Sequence, residues 1–441
     1  MENLSRKYKF LKAKLLDFKL IDYLLVSYLI FIIFNLTIRQ IFPSLNLNIN
    51  ILQRSINSLI QFSIIFLFLY KVIYERYSFK LNIFFKLFFI LFFYSFFINL
   101  FIHQSSLYQL FDISYDESYY SKYLFNIVTC LIMSNQFILN DRTRKIGINT
   151  LILICISIGI QFLLTQFNIQ NIGVRSTYLN EFGEVNSSYG RFTFLNWNEN
   201  ELSFLFSIGY SLLISKLING TKKSKLFYFL SISASLIIFN AMILTGTRIG
   251  LIVICTSFIF IFIDLIYKGL LKGKVFFFFI FLLSTLIFRF YNFANPLKTR
   301  LIYSYDLLKE GKFYNWFESL KYGIEYPFKG IGISAYYEKL GVSLPENVFV
   351  EIFVTCGIIG LILLIFILFR FMKMNINYYL KEKQSENILL IICLLSAINS
   401  LNIVFMKFFW FALAICFTNL YKYNRLQKDF AKFENIHENN K

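Results

Sequence analysis

Leu151-Ile-Leu-Ile-Cys155-Ile-Ser-Ile-Gly-Ile160-Gln-Phe-Leu-Leu164 carries no charge over its fourteen residues, and its flanks prolong the apolar run. A hydrocarbon slab of roughly 30 Å takes about 20 apolar helical residues to cross, and this run with its flanks meets that length. Similar runs recur along the whole chain, whose 441 residues are 57% hydrophobic and 20% aromatic with a mean hydropathy of +0.60. A soluble core has no use for so many. Backbone polar groups in lipid must be paired within their own segment, so each run is expected to be a helix.

The expected fold class is an all-α polytopic membrane protein of about twelve transmembrane helices. The spans fall near 21–38, 56–74, 83–103, 122–140, 146–168, 199–218, 226–245, 248–267, 274–291, 346–370, 387–403 and 405–421. With the N-terminus in the cytoplasm, the loops on that side are 75–82, 140–145, 219–225, 267–274 and 370–386, each short and basic. Clusters such as Arg142, Arg144, Lys145 and Lys222, Lys223, Lys225 follow the positive-inside rule and set both termini inside. That rule absorbs most of the formal charge of +19, which therefore does not point to nucleic acid. The basic stretch Met1–Lys19 shows no small-residue cleavage pattern and reads as a cytoplasmic tail.

One membrane domain over 1–441 is the simplest organisation, with cytoplasmic tails at 1–20 and 422–441 and long extracytoplasmic loops at 169–198 and 292–345. Loops of this length are uncommon unless functional. Within the second, Phe313, Trp316, Phe317, Leu320 and Ile324 recur at helical spacing with Lys312, Glu318 and Lys321 between them, a pattern that suits a helix lying on the membrane surface. Gly357 and Gly360 read as allowing close helix packing, and Gly330 and Gly332 as shaping a turn.

The six cysteines all fall in apolar runs, with neither a disulfide framework nor metal-ligand spacing, so no metal or other cofactor is expected. The chain holds two histidines, His103 and His437, which excludes a mechanism that needs several imidazoles. His103 reads as interfacial. Arginine is rare outside the cytoplasmic clusters, yet Arg175, Arg191, Arg248 and Arg300 all map to the opposite face. A guanidinium fork matches phosphate oxygens in pairs and stays charged, so these residues suit a diphosphate held at the membrane surface. The plainer alternative is interfacial snorkelling or pairing with Glu181, Glu184 or Asp306.

Three separated stretches carry a resemblance. The first is Arg191-Phe-Thr-Phe-Leu-Asn-Trp-Asn-Glu-Asn200-Glu-Leu-Ser, the second Leu244-Thr-Gly-Thr-Arg248-Ile-Gly250. The third runs from Arg300 through Trp316 to Tyr326-Pro-Phe-Lys-Gly330-Ile-Gly332, then Pro345-Glu-Asn347 and Gly357-Ile-Ile-Gly360. In their order and common side they resemble the O-antigen ligase and O-antigen polymerase superfamily over roughly residues 170–365. Many members, ligases especially, place a His before the Asn that aligns with Asn347; here that position is Glu346. The departure leans the reading toward a polymerase.

The resemblance implies transfer of a glycan from a polyprenyl diphosphate to an acceptor hydroxyl on the outer face of the inner membrane, without nucleotide or metal. Arg191, Arg248 and Arg300 would hold the diphosphate with Lys329 beside them, and Glu346 would serve as base. The spacing Ser343-Leu-Pro-Glu346 is also that of a capping box opening the next span. Asn200 and Asn347 either bind sugar hydroxyls or satisfy free backbone groups. Trp316 is either an interface anchor or a platform on which a sugar stacks. The implied partners are a polyprenyl-diphosphate-linked oligosaccharide, membrane lipid, and chain-length regulator and flippase proteins. Two other functions fit a chain of this kind. One is a ligase moving finished glycan to an acceptor, the other a flippase for lipid-linked oligosaccharide, in which charges should be spread through the spans.

Overall fold

The computed structural model describes residues 63, 65–66, 83–102, 119–166, 174–176, 191–193, 199–219, 224–269, 311–333, 336, 345–399, 401 and 406–439. The expected spans near 21–38 and 274–291, nearly all of 56–74, and Arg300 lie outside them.

The described helices are α1 (Ile83–Phe97, prolonged by a π-turn Ile98–Ile102), α2 (Tyr119–Leu139), α3 (Asp141–Gln166), α4 (Glu199–Ile218), α5 (Lys225–Leu244) and α6 (Arg248–Tyr267). They continue with α7 (Gly311–Glu325), α8 (Val348–Glu382), α9 (Glu386–Ile398) and α10 (Lys407–Asn439). Among the described residues, seven helices are long and apolar enough to cross a membrane, namely α1–α6 and α8. The protein is a multi-pass membrane protein. The last span is expected to end near 421, but α10 runs on as one helix to Asn439.

Between α3 and α4 a short antiparallel ladder joins β1 (Val174–Ser176) and β2 (Arg191–Thr193), with Ser176 opposite Arg191 and Arg175 opposite Phe192. This is a departure from an all-helical expectation. Three residues per strand are too few to show alternation in the sequence.

Some of the connections are tight. Asn140 alone separates α2 from α3, and its Oδ1 accepts the amide of Arg142. Lys383, in a left-handed conformation, closes α8 before α9. Packing inside the bundle is aromatic: Phe84 of α1 stacks on Phe417 of α10, and Phe371 of α8 meets both rings edge-on. The outward faces remain apolar, as lipid contact demands, with Ile252, Ile259 and Ile263 exposed on α6 and Ile362, Phe366 and Phe369 on α8.

At one end of the bundle the polar groups form a continuous network. Arg144 pairs with Glu386, Asn419 donates to Glu386 (3.0 Å) and to Asn387 (2.6 Å), and Asn387 donates to Asn375 (2.6 Å). Each buried amide is thereby satisfied in surroundings where an unmade bond is costly. Arg144 is thus a structural tie between α3 and α9.

α8 is not a single uninterrupted helix. At Gly357 (φ 72°, ψ −171°) it breaks. Segment 327–332 lies in the gap: Ile331 and Gly332 donate their amides to the carbonyls of Val354 and Thr355, and the amide of Ile358 donates to Pro327. The expectation that Gly357 serves helix packing is corrected here. Its positive φ, and the backbone of Phe328 within 2.2 Å of where a Cβ would stand, explain why the position is glycine. Gly330 and Gly332 do form the turn expected of them, with φ of 66° and 77°.

Candidate functional site

The opposite end of the bundle is where the candidate residues gather. α5 stops at Thr245, whose hydroxyl donates to the carbonyl of Met242 (2.6 Å), and Gly246 turns the chain with φ 61°. Thr247 then caps α6 by accepting the amide of Gly250. This two-threonine turn leaves Arg248 as the first residue of α6. A cation at a helix N-terminus opposes the helix dipole, and the two together favour an anion.

Gly250 sets α6 tightly against α4, since an added Cβ would stand 2.5 Å from the Ser203 hydroxyl. The first turns of α4 and α6 are therefore neighbours, with Asn200 and Glu201 on one and Arg248 on the other. The charge of Glu346, two residues before α8, is felt at Glu201, which puts the two carboxylates within electrostatic range of each other. β2, which contains Arg191, packs on α4.

The start of α8 is capped by Asn347, whose Oδ1 accepts the amides of Phe349 (3.0 Å) and Val350 (3.3 Å). Glu346 stands one residue before the cap, so the capping-box reading of Ser343 and Glu346 gives way to an asparagine cap. Asn347 satisfies backbone groups with its oxygen, one of the two roles expected of it.

α7 forms where the apolar spacing places a helix, and it leans on α8: a Cβ on Gly323 would stand 2.7 Å from the Phe353 ring. Trp316 is half-buried on it, while Phe317, Ile324 and Phe328 remain exposed. Lys329 is exposed beside Gly330, on the turn that enters the α8 break. Beneath this turn the Asn99 oxygen accepts the amide of Ile333 (2.7 Å), and Tyr336 pairs with the Ser319 hydroxyl (2.9 Å). Burial pushes the Tyr336 phenol above its ordinary range.

The structure thus sets Asn200 and Arg248 at adjoining helix starts, with Arg191 on the strand that packs on α4, and Glu346 beside the cap Asn347 within electrostatic range of Glu201. Trp316 and Lys329 approach through α7 and its following turn. Two carboxylates were missed in the sequence, Glu201 and Glu351. Glu351 had a visible signal: it is the one charged residue between Val348 and Phe369.

The stretch from within α5 to the middle of α8, residues 233–365, matches the family model described as O-antigen ligase. Over this stretch, under a third of the chain, the protein is similar to that family. The matched stretch includes Arg248, Arg300, Trp316, Lys329, Glu346, Asn347 and Glu351, while Arg191 and Asn200 precede it. It supports the superfamily resemblance, whose members are membrane glycosyltransferase-like enzymes acting on lipid-linked oligosaccharides. Comparison with the curated proteins gives no match.

Proposed function

We propose that the protein is a polymerase that joins polyprenyl-diphosphate-linked oligosaccharide repeat units into O-antigen or capsule-type polysaccharide. The reaction takes place on the outer face of the inner membrane, with both termini of the protein in the cytoplasm. The observation that carries this reading is the close packing of α6, which opens on Arg248, against the carboxylate-bearing start of α4, within and beside the stretch that is similar to the O-antigen ligase family.

In the reaction, an acceptor hydroxyl oxygen attacks the anomeric carbon of the donor sugar while the bond from that carbon to the diphosphate oxygen breaks. The lipid diphosphate leaves with the bonding electrons, and the hydroxyl proton passes to a carboxylate. The leaving group already ionises well, so the protein's work is to hold it and to orient the acceptor. Arg248, with Arg191, Arg300 and Lys329, supplies the cations. Glu346 takes the proton, and the side-chain amides of Asn200 and Asn347 orient sugar hydroxyls.

A ligase is the second reading, favoured by the description of the matching family model. Glu346, where many ligases place a histidine, favours the polymerase. Purified protein in lipid vesicles, given only a synthetic lipid-diphosphate-linked repeat unit, decides between them. A ladder of products supports polymerisation; product that appears only when a second, different acceptor is added overturns it in favour of ligation.

A further inference from the structure

The end of α7 and the turn that follows it meet α8 well below its start. A Cβ on Gly323 would stand 2.7 Å from the Phe353 ring, one on Gly330 would stand 2.6 Å from the Val354 carbonyl oxygen, and the Ile358 amide donates to the Pro327 carbonyl (2.7 Å). Residues 323–332 are therefore level with residues 353–358 of α8. Gly357, within that stretch, follows the cap Asn347 by about three helical turns, or roughly 15 Å. Arg370, the first charged residue beyond Glu351 on this helix, follows Gly357 by roughly 20 Å. A hydrocarbon slab of roughly 30 Å that begins near Arg370 thus continues about 10 Å past Gly357 toward Asn347. The contact between the turn and α8 lies inside it.

The backbone of the turn is arranged as that depth demands. Four consecutive amides find protein acceptors: Gly330 donates to the Tyr326 carbonyl (2.9 Å), Ile331 to that of Val354 (2.8 Å), Gly332 to that of Thr355 (3.2 Å) and Ile333 to the Asn99 side chain (2.7 Å). A turn in water has solvent for this purpose, whereas non-helical backbone at membrane depth persists where protein supplies the partners. The side chains show the complementary pattern. Ile324 is 69% exposed and Phe328 71%, at the level where Ile359 of α8 is exposed as well. Packing holds this stretch to α8 through Gly323 and to α1 through Asn99, so its apolar side chains continue the lipid-facing surface of α8. Glu325 and Lys329, the charges of this stretch, are exposed, on arms long enough to place the charge toward the headgroups.

We propose that residues 323–332 form a re-entrant segment whose Ile324 and Phe328 side chains are embedded among the acyl chains of the leaflet at the site end of the bundle. The helix expected to lie on the membrane surface ends by dipping beneath it, and the occupant of its apolar face is bilayer lipid. Lys329 is thereby held at the edge of the lipid and not in an aqueous loop.

The test places single cysteines by Ile324→Cys and Phe328→Cys in a Cys255→Ser background, the other five cysteines being buried. Each is labelled with bimane in the full chain, in phosphatidylcholine vesicles, and quenched either by lipid brominated on its acyl chains or by iodide on both faces. Ile362→Cys, on the exposed face of α8, is the lipid reference, and Glu382→Cys, at the exposed end of α8, the aqueous one. At 324 and 328 brominated lipid should quench several-fold more than at 382 and about as much as at 362, with iodide quenching several-fold weaker than at 382. Iodide quenching at 328 equal to that at 382, or bromolipid quenching no greater than at 382, overturns the proposal. A second measurement needs no label. Phe328→Asp should lower the amount of protein in the membrane several-fold while Phe328→Leu should not, because a carboxylate is costly among acyl chains and costs little in water. Equal accumulation of the two variants also overturns the proposal. None of these readouts requires glycan transfer, so the re-entrant segment and the proposed reaction fail separately.

Discussion

Gly330 and Gly357 each occupy a place where the other's segment leaves no room for a side chain. A Cβ on Gly330 would stand 2.6 Å from the Val354 carbonyl oxygen, and one on Gly357 would stand 2.2 Å from that of Phe328. Both have positive φ. The two glycines fix the depth at which the turn following α7 enters α8.

Gly357→Ala should be among the most destabilising single changes in the chain. The obstructing atoms are backbone and cannot rotate away, and the left-handed conformation adds a cost on the order of 1–3 kcal/mol for a non-glycine residue. The expected outcome is little folded protein in the membrane. Unfolding temperature in detergent measures it for whatever protein survives.

Glu346 and Asn347 separate chemistry from capping. Glu346→Gln should accumulate normally and lose roughly 10²- to 10⁴-fold in turnover, the usual loss when a general base is removed. Asn347→Ala should cost about 1 kcal/mol of stability through the lost cap. Measured rates and unfolding temperatures for the pair check both assignments, and a Gln variant that polymerises normally leaves Glu346 without a catalytic role.

Arg248→Lys keeps the charge but not the fork. If the residue holds two phosphate oxygens at once, polymer formation should drop clearly at normal protein level. Normal product length distributions on a gel, from cells making the Lys variant at wild-type abundance, would exclude the paired contact.

Orientation is open to a direct assay. A reporter active only in the cytoplasm should work when fused near Lys223 or after Lys441 and be silent within the segment 309–339. Activity in that segment would turn the whole site to the other face of the membrane.

The seven membrane-length helices among the described residues were legible in the sequence from their long apolar runs; Arg248-Ile-Gly-Leu to Tyr267 is an element whose ends the sequence and the structure share. α7 was legible from five apolar residues at helical spacing. The site was legible only as a set of unusual charges. The bond between Tyr119 and Glu351 joins residues 232 positions apart, and nothing local to either announces the other. The break in α8 was hidden for a similar reason. A glycine in an apolar run has the same composition whether it packs against a neighbouring helix or yields to an entering strand of backbone.

The break also bears on the order in which the protein can be made. Within a membrane, a carbonyl without a donor costs several kcal/mol, and the carbonyls of Val354 and Thr355 find their donors in Ile331 and Gly332, a segment synthesised earlier. The part of α8 before the break therefore has its full set of backbone partners only when the turn that precedes it is in place. Substitutions at Gly330, where a Cβ would meet the backbone of α8, should therefore lower the yield of finished protein.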